Sequence, residues 1–170
     1  MKFKVINFGC KVNTYESTYL EEVFISEGYK EASSLDDADL IVINTCSVTN
    51  VADSKCKKFI RRIKRENPSA IIAACGCSVQ NNFDEYDKMG IDILTGTTNK
   101  AKMPALIKEY KQNKEKIRLY DNNRKQKFED MFIDKFVKHN FDFLLLYFHI
   151  HSFDQGLNLI IFVLFFVELY

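Results

Sequence analysis

Cysteines lie just beyond the ends of three short apolar segments of this chain. They are Cys10 after residues 4–8, Cys46 after residues 40–44, and Cys75 and Cys77 after residues 70–74. Each of these cysteine positions is followed by a stretch with helical periodicity. Thiolates gathered at one place are the usual ligands of iron–sulfur clusters. The types and spacing of these residues therefore indicate a cluster or metal site, provided that the fold brings them together.

The three apolar segments predict buried strands, because short apolar runs alternating with helices are typical of parallel sheets. The element order predicts an α/β fold over residues 1–110, with a doubly wound parallel sheet of about four or five strands, flavodoxin-like or Rossmann-like. The strand-to-helix loops of such sheets converge at the carboxyl ends of the strands. We expect the strand of Val5 to be central, between the strands of Val42 and Ile72, since this order joins the cysteine loops.

Two helix starts are predicted from pairs of polar residues. Asn13 and Glu16 are spaced like a capping pair, in which two side chains bind the first amide groups of a helix. Asn50 and Asp53 repeat the pattern for a second helix. Both predicted helices follow a cysteine loop.

The second predicted helix carries basic residues on one side and apolar residues on the other. The apolar face comprises Cys56, Phe59, Ile60 and Ile63. The basic residues predicted to point outward are Lys55, Lys57, Lys58, Arg61, Arg62, Lys64 and Arg65. The simpler interpretation is a solvated helix face, and the functional one is contact with nucleic-acid phosphates.

Charge and cysteine usage indicate the cellular compartment of the protein but say little about its binding partners. The net charge of +1 is uninformative about binding partners. Residues 1–4 run directly into a predicted strand without the apolar stretch of a signal peptide, so we expect a cytoplasmic protein with reduced thiols. The five cysteines are therefore not expected to form a disulfide framework.

The composition changes in the last third of the chain. Residues 111–140 are mostly polar and charged and are predicted to be a linker. Residues 141–170 contain no lysine or arginine and form an apolar, irregular tail of unknown structure. Its longest apolar run, residues 159–167, is far shorter than the roughly 20 residues that cross a bilayer. No membrane span is predicted.

Three segments together resemble the cysteine motifs of the radical-SAM methylthiotransferases. They are residues 7–17, which begin Asn-Phe-Gly-Cys-Lys-Val-Asn, residues 44–49, Asn-Thr-Cys-Ser-Val-Thr, and residues 76–80, Gly-Cys-Ser-Val-Gln. The form of the first motif is similar to the branch that acts on threonylcarbamoyladenosine in tRNA. The resemblance covers about residues 1–130, with the three motifs in order, and it identifies the N-terminal domain of that family.

The resemblance implies a cofactor, a reaction and a partner. By analogy with the family, Cys10, Cys46 and Cys77 would hold a [4Fe–4S] cluster with one iron left open. The family reaction transfers a methylthio group to modified adenosine 37 of tRNA, so the basic run of the second helix is a candidate for contact with tRNA. The motif match assigns Cys77 to the cluster and Cys75 to the end of the strand and the core; the alternative is that Cys75 and Cys77 both contribute sulfur ligands to a metal. Cys56 is assigned to the core because it falls on the apolar stripe of its helix.

The chain also departs from the family pattern. It contains no cysteine after Cys77, and therefore lacks the Cys-x3-Cys-x2-Cys motif that binds a second cluster for S-adenosylmethionine cleavage. We expect these 170 residues to be inactive alone, and we interpret the loss as a truncated or frameshifted reading frame. Two alternatives are a stand-alone iron–sulfur or metal-binding module and a flavodoxin-like small-molecule domain. The latter is disfavoured because no G-x-G-x-x-G or P-loop motif follows any predicted strand.

Overall fold

The structure, a computed structural model, describes residues 1–119. Within this range the strands are β1 (Lys2–Phe8), β2 (Lys30–Glu31), β3 (Leu40–Thr45), β4 (Ile71–Gly76), β5 (Ile93–Thr95) and β6 (Ile117–Leu119). The helices are α1 (Lys11–Ser26), α2 (Asn50–Glu66), α3 (Cys77–Asn81), α4 (Phe83–Lys88) and α5 (Met103–Asn113), with a 3₁₀ turn at Lys100–Lys102. Strands and helices alternate along most of the chain, as the apolar segments predict.

All neighbouring strands of the sheet run parallel, in the order β2-β1-β3-β4-β5-β6. This arrangement confirms the predicted α/β class, and its first five strands have the flavodoxin-like order. Residues 1–119 contribute six strands rather than four or five. The two additional strands, β2 and β6, are two and three residues long and have no fully buried residue, so they lack the apolar pattern from which strands are predicted.

The predicted place of the first strand is wrong. β1 lies between β2 and β3, whereas β3 lies between β1 and β4. The strand of Val42 is therefore the middle one of the three cysteine-bearing strands, and the strand of Val5 is next to it. The reason is that β2 takes the outer side of β1, which the sequence pattern of two exposed residues did not reveal.

The core consists of two apolar layers, one on each face of the sheet. The alternation of side chains along β3 sends Ile41 and Ile43 to one face and Leu40 and Val42 to the other. Helices α2, α3 and α4 cover the first layer, with side chains such as Ile60, Val79 and Tyr86. Helices α1 and α5 cover the second layer, with side chains such as Phe24, Met103 and Ile107. Because both faces are covered, every residue of β3 is buried.

Both predicted capping pairs are wrong, although both helices form. Cys10 is the N-cap residue of α1, without a side-chain cap, and Asn13 lies buried inside the first turns. The N-cap residue of α2 is Thr49, whose hydroxyl accepts a hydrogen bond from the Ala52 amide at 3.1 Å. Asn50 is already helical, so the competing cap one residue earlier displaces it.

The described fold continues past residue 110. Helix α5 ends at Asn113, and β6 then adds to the edge of the sheet beside β5. The remainder of the predicted linker and the whole of the predicted apolar tail, residues 141–170, lie outside the described residues. No helix within residues 1–119 has the length and apolar character of a membrane-spanning segment.

Candidate cysteine site

The strand register places the three cysteine loops side by side. Phe8 pairs with Thr45, and Thr45 pairs with Gly76, so these residues form one row across β1, β3 and β4. Cys46 and Cys77 are the next residues after this row, and Cys10 is two residues after it. Neighbouring strands lie about 5 Å apart, so three adjacent strands present their following loops within roughly 10 Å. These loops lie at the carboxyl ends of the strands, at the switch point between β1 and β3, where ligands bind in such folds.

Gly76 lets the ends of β3 and β4 approach closely. Its φ of 103° and ψ of −174° lie in a region that is essentially restricted to glycine. A Cβ atom at this position would overlap the backbone oxygen and nitrogen of Thr45 and the side chain of Asn44. The Gly76 amide donates to the carbonyl oxygen of Gly96 at 3.0 Å, which joins the loop after β5 to the same edge.

Asn13 connects the first cysteine loop to the second. Its Oδ1 atom accepts a hydrogen bond from Cys10 Sγ at 3.2 Å, and its Nδ2 atom donates to the Thr45 carbonyl oxygen at 3.0 Å. Asn44 is its counterpart on β3, since Asn44 Nδ2 donates to the Asn13 carbonyl oxygen at 3.0 Å. Both side chains are buried. This role of Asn13 was not predicted from the sequence; the polar Asn44 within an otherwise apolar strand is the signal that could have indicated it.

The three cysteines differ in exposure. Cys10 is exposed, Cys77 is half-buried and Cys46 is buried. The pKa of Cys77 is raised by its burial and by the nearby carboxylate of Glu16, while Lys100 acts in the opposite direction. Cys46 and Cys10 also raise the pKa of Cys77, as thiolates do to one another.

The remaining two cysteines belong to the core, as expected. Cys56 is 1% exposed in the layer under α2, and Cys75 is fully buried in the opposite layer. Burial raises the pKa of the Cys56 thiol to about 11, which keeps this thiol protonated at neutral pH. These two residues lie on opposite faces of the sheet.

The chemistry of the three loops is that of thiol ligands. Within residues 1–119 no group of three or more His, Cys, Asp or Glu side chains is arranged to hold one metal ion. Cysteine thiolates are the ligands that hold [4Fe–4S] clusters. The donor set is all thiol, and the glycines at positions 9 and 76 leave no Cβ in the way of the adjoining loops. These features fit a three-cysteine cluster site.

Helix α2, which follows the Cys46 loop, presents a basic surface. Six of its basic side chains are exposed: Lys55, Lys58, Arg61, Arg62, Lys64 and Arg65. The prediction that Lys57 points outward is wrong. Lys57 is 9% exposed, and its Nζ atom lies 2.5 Å from Asp53 Oδ2 and 2.6 Å from Glu85 Oε2. It lies beside the apolar stripe of α2, where two carboxylates compensate the loss of water.

The Lys57 ion pairs belong to a polar network that ties α2 to the third cysteine loop. Asp53 accepts hydrogen bonds from Ser78, the residue after Cys77, and from Tyr86 of α4, the latter at 2.8 Å. The Lys57 ammonium also lies 5.4 Å from the centre of the Tyr86 ring. The position of Cys77 is thus set from two sides, by the β3–β4 register and by helix α2.

The fold and the site define a class of protein, a parallel α/β domain with three cysteine loops at its switch point. Comparison with known proteins agrees with this class. The chain belongs to the family described as uncharacterized protein family UPF0004, which matches residues 2–96. It is 36% identical over 131 residues to a threonylcarbamoyladenosine tRNA methylthiotransferase, MtaB, of Bacillus subtilis, covering 76% of this chain. The corresponding MtaB of Aquifex aeolicus is 38% identical over 117 residues, covering 68% of this chain.

A second type of relative shares the same region. A tRNA-2-methylthio-N(6)-dimethylallyladenosine synthase of Sulfurihydrogenibium is 34% identical over 126 residues, covering 71% of this chain. The resemblance to the N-terminal domain of the methylthiotransferases is thereby confirmed. The chain spans less than a third of the length of these relatives, 29% of the Bacillus protein and 28% of the Aquifex protein.

Proposed function

We propose that this chain is the cluster-binding domain of a tRNA methylthiotransferase, in which Cys10, Cys46 and Cys77 hold a [4Fe–4S] cluster. The observation that carries the proposal is the strand register, which aligns the loops after β1, β3 and β4 at one edge. The hydrogen bonds of Asn13 to Cys10 Sγ and to the Thr45 carbonyl oxygen, which join the first two loops, support it as well. Three cysteines would leave one iron without a protein ligand, and the resemblance to the family implies that this open iron would serve the transfer of sulfur.

The residues around the thiols have separate tasks in this proposal. Asn13 is hydrogen-bonded both to the exposed Cys10 thiol and to the Thr45 carbonyl oxygen, and so limits how far the first loop can move from the second. Cys46 is 3% exposed and is therefore shielded from water. Cysteine binds iron as the thiolate, so all three residues would be deprotonated in the cluster-bound chain.

The proposed target is adenosine 37 of tRNA carrying a threonylcarbamoyl group. The first cysteine motif supports this choice, as do the names of the Bacillus and Aquifex relatives. The exposed basic side chains of α2 are proposed to contact tRNA phosphates, because α2 begins four residues after Cys46 and its basic surface therefore starts near the site. Each neutralised phosphate would release a counterion and steepen the salt dependence of binding.

The proposed role stops at cluster binding. The chain has no cysteine beyond Cys77, so a second cluster and S-adenosylmethionine are assigned only to full-length relatives. The second candidate function is a stand-alone iron–sulfur module without catalysis, which would use the same three cysteines. The two candidates share the cysteine site and differ in whether the chain acts together with a radical-SAM domain.

Anaerobic reconstitution with iron and sulfide tests the cluster. The wild-type chain should gain the broad visible absorbance of an iron–sulfur cluster, with about four irons per chain. Cys10→Ala, Cys46→Ala and Cys77→Ala should each lose most of this absorbance, since each removes one of three ligands. Cys56→Ala is the matched control, because it removes a buried thiol from α2 on the same fold.

The proposal is refuted if the three ligand variants load as much iron as the wild type. A loss of absorbance in the Cys56→Ala control, together with retained secondary structure, would also contradict the assignment. Circular dichroism of each unloaded variant distinguishes the loss of a ligand from the loss of the fold.

A further inference from the structure

A buried ion pair lies beside the cysteine site. The Lys100 side chain is 1% exposed, and its Nζ atom lies 2.9 Å from Glu16 Oε1 and 2.6 Å from the Thr97 carbonyl oxygen. Lysine is almost never fully buried unless it is paired. A buried pair contributes little net stability, because removing two charges from water offsets most of their attraction. Stability alone therefore gives no strong reason for a lysine at this place.

The pair joins three of the elements that carry the site. Glu16 lies on α1, which begins directly after Cys10, and its Oε2 atom accepts a hydrogen bond from Asn44 Nδ2 at 3.1 Å. Asn44 is on β3, two residues before Cys46. Lys100 follows β5, in the 3₁₀ turn that contacts α1. The ion pair thus connects the first and second cysteine loops with the loop after β5.

Hydrogen bonds lead from the ion pair to the first cysteine. Asn44 Nδ2, which donates to Glu16 Oε2, also donates to the Asn13 carbonyl oxygen at 3.0 Å, and Asn13 Oδ1 accepts a hydrogen bond from Cys10 Sγ at 3.2 Å. Without Lys100, a carboxylate whose side chain is only 16% exposed would lie beside the cysteine loops without a compensating charge. Three thiolates would add further negative charge at the same edge.

We propose that Lys100 is a positioning residue for the cysteine site: its ammonium group holds Glu16 in place and supplies the positive charge that compensates Glu16 beside the iron-binding thiolates. This inference rests on the proposed cluster function. The reduction potential of an iron–sulfur cluster depends on the net charge around it, so the charge of Lys100 would raise the potential and that of Glu16 would lower it.

The test measures the midpoint potential of the reconstituted cluster in the full chain at pH 8, by redox titration followed with electron paramagnetic resonance. Lys100→Met should shift the potential to more negative values, and Glu16→Gln should shift it to more positive values. The double variant Lys100→Met with Glu16→Gln should return towards the wild type. Lys108→Met is the matched control, because it breaks an exposed pair with Glu27, 2.7 Å long, on α5.

The signs separate this role from a purely structural one. If the pair only maintained the fold, both single variants would open the site to water and shift the potential in the same direction, which would overturn the inference. Should Lys100→Met fail to fold, Glu16→Gln still decides, since an unchanged or more negative potential contradicts the inference. A wild-type chain that takes up no iron refutes the proposed function and the inference with it, whereas normal loading with unmoved potentials overturns the inference alone.

Discussion

Gly76→Ala should destabilise the fold more than an alanine at another glycine with positive φ. Backbone strain in the glycine-only region costs about 1–3 kcal/mol for any other residue. The new methyl group would also overlap the Thr45 backbone, which belongs to a central strand and cannot move aside easily. Overpacking of this kind typically costs a further 1–3 kcal/mol. We therefore expect a loss of about 2–6 kcal/mol from a total stability of the order of 5–15 kcal/mol.

Gly28→Ala is the matched control for this experiment. Gly28 has a φ of 83°, but a Cβ atom there would meet nothing within 4 Å. Its replacement should cost only the backbone term, about 1–2 kcal/mol. The difference between the two variants then contains the close approach of β4 to β3 together with the stronger backbone strain at Gly76, and we expect it to be at least about 1 kcal/mol.

Urea denaturation followed by far-ultraviolet circular dichroism gives both free energies of unfolding. Gly76→Ala should also lower iron uptake in reconstitution, because the methyl group separates the Cys46 and Cys77 loops, whereas Gly28→Ala should load normally. If Gly76→Ala costs no more than Gly28→Ala, the reasoning about close strand approach is wrong. If the variant is destabilised but loads iron fully, the packing argument holds and its link to the cysteine site fails.

Three further predictions concern pH, salt and activity. Burial would raise the pKa of Asp53, but the hydrogen bonds and the ion pair of this carboxylate lower the pKa below 3.8. The contribution of Asp53 to the free energy of unfolding is therefore present above pH 3.8 and is lost as the pH falls through the folded pKa. Asp53→Asn should flatten the acid side of the stability curve in urea titrations, and an unchanged curve would contradict the network. Alanine at Lys55, Lys58 and Arg61 together should reduce the slope of log K against log salt for tRNA binding by up to about 0.9 for each phosphate that is no longer neutralised, while Lys108→Ala should leave the slope unchanged. The reconstituted chain, given S-adenosylmethionine, reductant and threonylcarbamoyl-modified tRNA, should form neither 5′-deoxyadenosine nor methylthiolated nucleoside above a no-protein control; formation of either would require a radical centre that these 170 residues do not indicate.

Strand pairing and helix packing determine several features that local patterns could not predict. The lateral order of the strands depends on β2, whose two exposed residues gain their place only by pairing with Lys2 and Phe3 of β1. The burial of Lys57 likewise depends on a carboxylate of α4, Glu85, which is 28 residues away in sequence. Neither contact leaves a periodic signal, because each joins residues that are distant along the chain.

Local sequence patterns were sufficient for the α/β class, the approximate strands and the cysteines that follow them, because apolar runs of strand length and helical periodicity are properties of contiguous residues. Three short contiguous motifs were likewise sufficient for the family. The folded chain was needed to show that β3 is the middle strand, that Asn13 joins two loops instead of capping a helix, and that Lys100 is buried against Glu16. The physical reason is that these features are hydrogen bonds and ion pairs between distant segments, whose partners are chosen by the geometry of the folded sheet.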